Sequence, residues 1–129
     1  MCLANKFLTR FEELSNDMEN EYKRLKVLRS TYDKKLSLHY HKMETMKFNA
    51  AEGYYLAKEL QDIVRQRRVI KQELYKIERV RDKMKLQSII DRSKVSRNVL
   101  NNIHKHEQSE EHYVTDFRDD YRVEDLVIH

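Results

Sequence analysis

Met46-Lys47-Phe48-Asn49-Ala50-Ala51-Glu52-Gly53-Tyr54-Tyr55-Leu56, residues 46–56, separates two long stripes of apolar residues at helical spacing, and its reading decides the fold. It contains the only glycine of the 129-residue chain, which has no proline. Gly53 takes a positive φ without steric cost, so the chain is expected to reverse over residues 49–53 with Gly53 in the left-handed conformation.

Upstream of this stretch, Phe11, Met18, Leu25, Tyr32, His39 and Met46 recur every seven residues as heptad a positions. Leu14, Glu21, Leu28 and Lys35 then occupy d, two of them charged. Downstream, Leu56, Leu60, Ile63, Ile70, Leu74, Ile77 and Met84 repeat the spacing, with Arg67 and Arg81 also in the seam. An antiparallel pair requires opposed residues to have a constant total of residue numbers, and 102 satisfies most layers. That register opposes Met46 to Leu56, Leu28 to Leu74 and Glu21 to Arg81. It also brings Lys35 to Arg67, where Asp33 is expected to reach the arginine and relieve the repulsion.

The fold class that follows is all-α: a long antiparallel two-helix coiled-coil hairpin with a short C-terminal helix and an acidic tail. The expected bounds are a helical hairpin over 1–106, with helices about 4–48, 54–92 and 96–106, and a tail over 107–129. With 37% charged residues and one glycine, the composition disfavours β-rich folds. The apolar runs are too short to span a bilayer and no secretory leader is evident at the N-terminus, so no membrane partner is expected and the location expected is cytoplasmic.

Charge divides the chain. Residues 1–106 carry 24 Lys and Arg against 14 Asp and Glu, whereas 107–129 carry two Arg against eight acids. A basic body with an acidic tail implies a charged partner, or a tail that folds back on the body. Within the tail, Tyr113, Phe117, Tyr121, Leu126 and Ile128 stand among the acids. Apolar anchors with acidic neighbours suit a mobile segment that folds on binding, so these five are the candidate partner-binding residues. The tail is expected to matter more for function than the basic residues of the body.

Beyond Met84, Leu86, Ile89, Ile90, Val95, Val99, Leu100 and Ile103 exceed what a two-helix seam covers. Phe7, Phe11, Val95, Val99, Leu100 and Ile103 are therefore the candidate surface of a homodimer. Arg65, Arg68, Lys76, Arg79 and Lys83 fall on outer heptad positions and form a basic stripe, the candidate surface for nucleic acid in an alternative reading. Residues 88–100 have a superficial likeness to a helix-turn-helix, but an amphipathic cap helix is the preferred reading.

Chemistry is poorly represented. No nucleophile elbow, phosphate-binding glycine loop or HExxH occurs, so no catalytic residue and no cofactor is assigned and no enzymatic activity is expected. The pairs His39-x-His41 and His104-x-His106 are two apart, which turns the side chains about 200° from each other on a helix, so no metal is expected. His39 is expected in the seam. Cys2 is the only cysteine, which excludes an intrachain disulfide.

Leu38-His39, the run Phe48-Asn49-Ala50-Ala51-Glu52-Gly53-Tyr54-Tyr55-Leu56-Ala57-Lys58-Glu59-Leu60, and Arg67-Arg68-Val69-Ile70-Lys71-Gln72-Glu73-Leu74 resemble small coiled-coil proteins of phages and prophages of Gram-positive bacteria. The resemblance covers about a third of the chain, and that family has no assigned activity to carry over. It implies a virus-encoded helper in the cytoplasm of a bacterial host cell, acting on a host or defence protein or on nucleic acid. The function expected is that of a non-catalytic effector or adaptor.

Overall fold

The structure is a computed structural model that describes residues 2–113 together with 126 and 127, and for 110–113 the backbone only. Three helices follow one another: α1 (Leu3–Thr45), α2 (Ala50–Met84) and α3 (Leu86–Tyr113). α1 and α2 pack side by side as a hairpin, and α3 packs mainly against α1. The all-α hairpin expected from the two stripes is what the chain forms.

The reversal occurs earlier than expected, over residues 46–49, and without a glycine turn. Gly53 lies inside the first turns of α2 and its φ is not positive. Asn49 caps α2 instead: its Oδ1 accepts from the Glu52 backbone N–H at 2.9 Å, and Gly53 N–H donates to the Asn49 carbonyl at 2.8 Å. Glycine is used at 53 for its missing Cβ. A methyl built there would meet the Phe48 ring at 3.2 Å, where residue 48 folds back over the helix start. The first helix accordingly stops at 45 rather than 48, and the second starts at 50 rather than 54.

The seam is partly the expected one. Leu25 and His39 are buried and Met18 and Tyr32 half-buried, as a positions should be, and on α2 Leu56, Ile63, Ile70 and Leu74 are buried. Of the expected d set of α1, Leu28 alone packs into the seam. Leu14, Glu21 and Lys35 are exposed, and Ser15, Tyr22, Arg29, Leu36 and Met43, each one residue further along, face inward instead. This phase takes Glu21 and Lys35 out of the seam, admits Arg29 at its margin, and gains Tyr22, Leu36 and Met43, a net increase in buried apolar surface.

The register moves with the phase. Tyr22 hydroxyl donates to Glu78 at 3.4 Å and Glu19 pairs with Arg81, each pair totalling 100 rather than 102. Glu21, expected opposite Arg81, binds Arg24 on its own helix at 3.1 Å. Asp33 does reach Arg67, and Lys35 turns away to lie 4.5 Å from the centroid of the Tyr32 ring.

The short helix expected at 96–106 is a 28-residue helix beginning at 86, and it takes in the first seven residues of the acidic segment. The break before it is one residue, Lys85, at φ 51 and ψ 53. Residues 88–100 are continuous helix, so no helix-turn-helix forms there. A non-glycine residue in the left-handed region costs about 1–2 kcal/mol. Lys85→Gly is expected to stabilise the fold by about 1 kcal/mol, read as a higher urea midpoint at unchanged slope.

Candidate binding surfaces

Along the shaft, two cations that face the seam, Arg67 and Arg81, pair across it. Arg81 donates through Nε and Nη2 to the Glu19 carboxylate at 2.9 and 3.1 Å, and its guanidinium carbon lies 4.6 Å from the centroid of the Tyr22 ring. The hydrogen bond from Arg81 holds the Glu19 carboxyl below its ordinary pKa, against the opposing effect of burial; the same bond raises Arg81. A depressed carboxylate contributes stability above its unfolded pKa and loses it as the pH falls through its folded one. Glu19→Gln is therefore expected to cost about 1–2 kcal/mol at neutral pH. The difference from wild type should shrink as acid titrates Glu19 below the usual carboxylate range, which urea denaturation at a series of pH values will read.

His39 is 4% exposed. Its Nε2 donates to the Leu56 carbonyl at 2.8 Å, and Nδ1 lies 3.8 Å from Glu59, so this histidine ties α1 to the first turns of α2. His41 is exposed, on the other side of α1. At the open end of the rod, Cys2 Sγ accepts from the Asn5 backbone N–H at 3.3 Å and lies 3.6 Å from His104 Nε2, so His104 meets the start of α1. Among the described residues no three His, Cys, Asp or Glu side chains gather as metal ligands, and no helix is long and apolar enough to cross a membrane.

At that open end, one side chain of α3 spans three turns of α1. Arg97 donates to Asn5 Oδ1, to Thr9 Oγ1 at 3.1 Å and to Glu12 Oε1, reaching three successive turns of α1. A groove of about 360 Å³ runs between the two helices, lined by Ala4, Leu8, Val95, Val99, Leu100 and Ile103. Of the six residues expected to form a dimer surface, Phe7, Phe11, Val95, Val99 and Ile103 are exposed and Leu100 is half-buried. The structure brings Val95, Val99, Leu100 and Ile103 together on one groove.

Arg65, Arg68, Lys76, Arg79 and Lys83 are all exposed on the face of α2 turned away from α1. They span 18 residues of helix, roughly 27 Å. Lys76 bonds Glu73 at 3.3 Å, and the other four make no ion pair among the described residues. The stripe is thus one continuous surface.

Sequence reasoning missed the tip of the hairpin. Tyr40, Phe48, Tyr54 and Tyr55 are exposed within about two turns of the reversal, and the rings of Tyr54 and Tyr55 meet edge-on at 5.6 Å between centroids. The signal is Phe48 and the Tyr54-Tyr55 pair around the turn, residues to which the sequence assigns no role beyond the resemblance. Of the tail anchors, Leu126 is exposed; the side chain of Tyr113, and Phe117, Tyr121 and Ile128, lie outside the described residues. Searches against family models, curated proteins and solved structures find nothing that matches this chain.

Proposed function

We propose that this protein is a non-catalytic effector or adaptor that binds a protein of a bacterial host through its helical faces and its tail, and alters that protein by occupancy. The observation that carries this reading is where the apolar surface lies. Exposed aromatic and aliphatic side chains gather at the two ends of the rod, at the hairpin tip and between α1 and α3, with Val27, Leu38, Val69, Tyr75 and Val80 spaced along the shaft between them. Tyrosine and phenylalanine at such sites are the residue types that dominate binding energy in protein interfaces. The grooves along the shaft are shallow and lined by charged and polar side chains, a poor setting for chemistry that needs a desolvated pocket. The resemblance to phage-encoded proteins directs the search to Gram-positive hosts and to their cytoplasm.

The test is affinity capture from a Gram-positive lysate by the full chain, by Tyr54→Ser/Tyr55→Ser, and by a chain ending at 113. A protein retained by the full chain and lost from one of the variants supports the reading and identifies the surface. Equal capture by all three, abolished by nuclease, overturns it.

A second reading follows from the unpaired cations on the outer face of α2. Four basic side chains without an ion pair among the described residues, along about 27 Å, suit a phosphate backbone, with the acidic tail as a competitor for the same surface. Removing residues 114–129 should then raise affinity for DNA at low salt, with a steep salt dependence that flattens in Arg68→Gln/Arg79→Gln. Equal, weak DNA binding by both lengths of chain would eliminate this reading.

A further inference from the structure

We infer that the uncovered apolar face at the open end of the rod binds a second copy of this chain, related by a two-fold axis with its α1 antiparallel to the first. This names the partner of one surface and rests on the reading of exposed apolar faces as binding surfaces.

The face exists because α2 is shorter than the stripe it covers. From Met18 to His39 the inward residues of α1 meet α2. Phe11 and Phe7 continue that line toward the N-terminus at the same helical phase, and Leu14 flanks it. α2, however, ends at Met84, and the left-handed turn at Lys85 sends α3 onto the neighbouring face of α1, where Arg97 grips it. Phe11 is left 60% exposed and Leu14 64%, with no helix opposite among the described residues. On the α3 side of the groove, Val95, Val99 and Ile103 add to the same uncovered surface.

The area is what a stable dimer needs. Phe7, Phe11, Leu14, Val95, Val99 and Ile103 together expose on the order of 700 Å², beyond the largest apolar patch of a typical monomer and close to one side of a standard interface.

Charge selects a second copy, and selects its direction. Lys6, Arg10, Glu13 and Asp17 are exposed on the flank of α1 away from α3, the two bases toward the N-terminus and the two acids after them. Antiparallel helices related by a two-fold axis bring like flanks together with their order reversed. The basic half of one copy then lies against the acidic half of the other, whereas parallel two-fold pairing puts this flank beside the partner's opposite flank and leaves the four charges unmatched. An unrelated host helix has no reason to mirror this order. Two copies of α1 and two of α3 thereby close into a four-helix cluster around Phe7, Phe11 and Leu14.

The experiment is sedimentation equilibrium of the full chain at tens of micromolar, with a spin label on Cys2, the only cysteine. The expected result is the dimer mass, with the two labels on the order of 30 Å apart, because antiparallel pairing centred between Phe11 and Leu14 puts the two N-termini at opposite ends. Phe11→Asp should weaken dimerisation at least 100-fold while circular dichroism stays helical. Should Phe11→Asp fail to fold, Arg10→Glu should weaken the dimer and Arg10→Glu/Glu13→Arg should restore it, because residues 10 and 13 oppose each other across the two-fold axis. A monomer at tens of micromolar, a dimer indifferent to Phe11→Asp and to both charge variants, or labels within about 15 Å, the parallel arrangement, would overturn the proposal. A monomer refutes self-pairing alone; the capture experiment decides the broader reading independently.

Discussion

Leu74→Ala should destabilise the protein by about 3 kcal/mol, a substantial share of the roughly 5–15 kcal/mol that holds a native domain together. Leu74 is 1% exposed and packs with Leu25 and Ile70, with Tyr22, Leu28, Tyr32 and Ile77 around them. Truncation removes the transfer energy of the lost methyl and methylene groups and leaves a void that two straight helices, braced by the Glu19–Arg81 and Asp33–Arg67 pairs on either side, close only in part. A two-helix seam has no second layer to share the loss. Val69→Ala, a truncation on the exposed face of the same helix, is the control and should change stability by less than about 0.5 kcal/mol. Urea denaturation of the two variants reads both values, and comparable midpoints would mean that stability does not reside in the seam.

Arg97→Ala should release α3 from α1 without unfolding the hairpin. Its guanidinium meets Asn5, Thr9 and Glu12 together and is largely enclosed by them, so its removal leaves a half-buried carboxylate without its cation. The local cost is about 2–3 kcal/mol, enough to raise amide exchange across α3 on the order of 30–100-fold while α1 and α2 retain their protection. Arg97→Lys should recover little, because a single ammonium cannot address three turns at once with the forked geometry of the guanidinium. Hydrogen-exchange mass spectrometry checks this directly; unchanged protection of residues 86–109 would show that apolar packing alone secures α3.

How far the sequence could be read depended on what kind of information each feature needed. The α2 stripe was legible because Leu56, Ile63, Ile70 and Leu74 leave one face no rival, and all four are buried. The α1 stripe was ambiguous: Leu14 and Leu28 made one second line attractive and Tyr22, Leu36 and Met43 another, one residue apart. Heptad spacing is the same for both, so periodicity could not choose between them. Asp33 as the partner of Arg67 was legible, because a charge trapped in a seam calls for the nearest opposite charge. The basic stripe on α2 was equally legible, since its position follows from helical phase alone. The aromatic tip was not, because exposure near a turn depends on where the helices stop.

By itself the sequence determined the helical class, the reversal near the middle and which face of α2 is apolar, since period, glycine and proline content, and charge act locally along one helix. Only the tertiary structure decided the phase of α1, the register, the break at Lys85 and the placement of α3 beside α1. Each of these is a competition between surfaces distant in sequence. Moving α1 by one residue exchanges Glu21 and Lys35 for Tyr22 and Leu36 in the seam, and only the presence of α2 gives that exchange its energy. Lys85 occupies a conformation its own side chain disfavours, because the burial of Leu86 and the reach of Arg97 to Asn5, Thr9 and Glu12 outweigh about 1–2 kcal/mol of backbone strain.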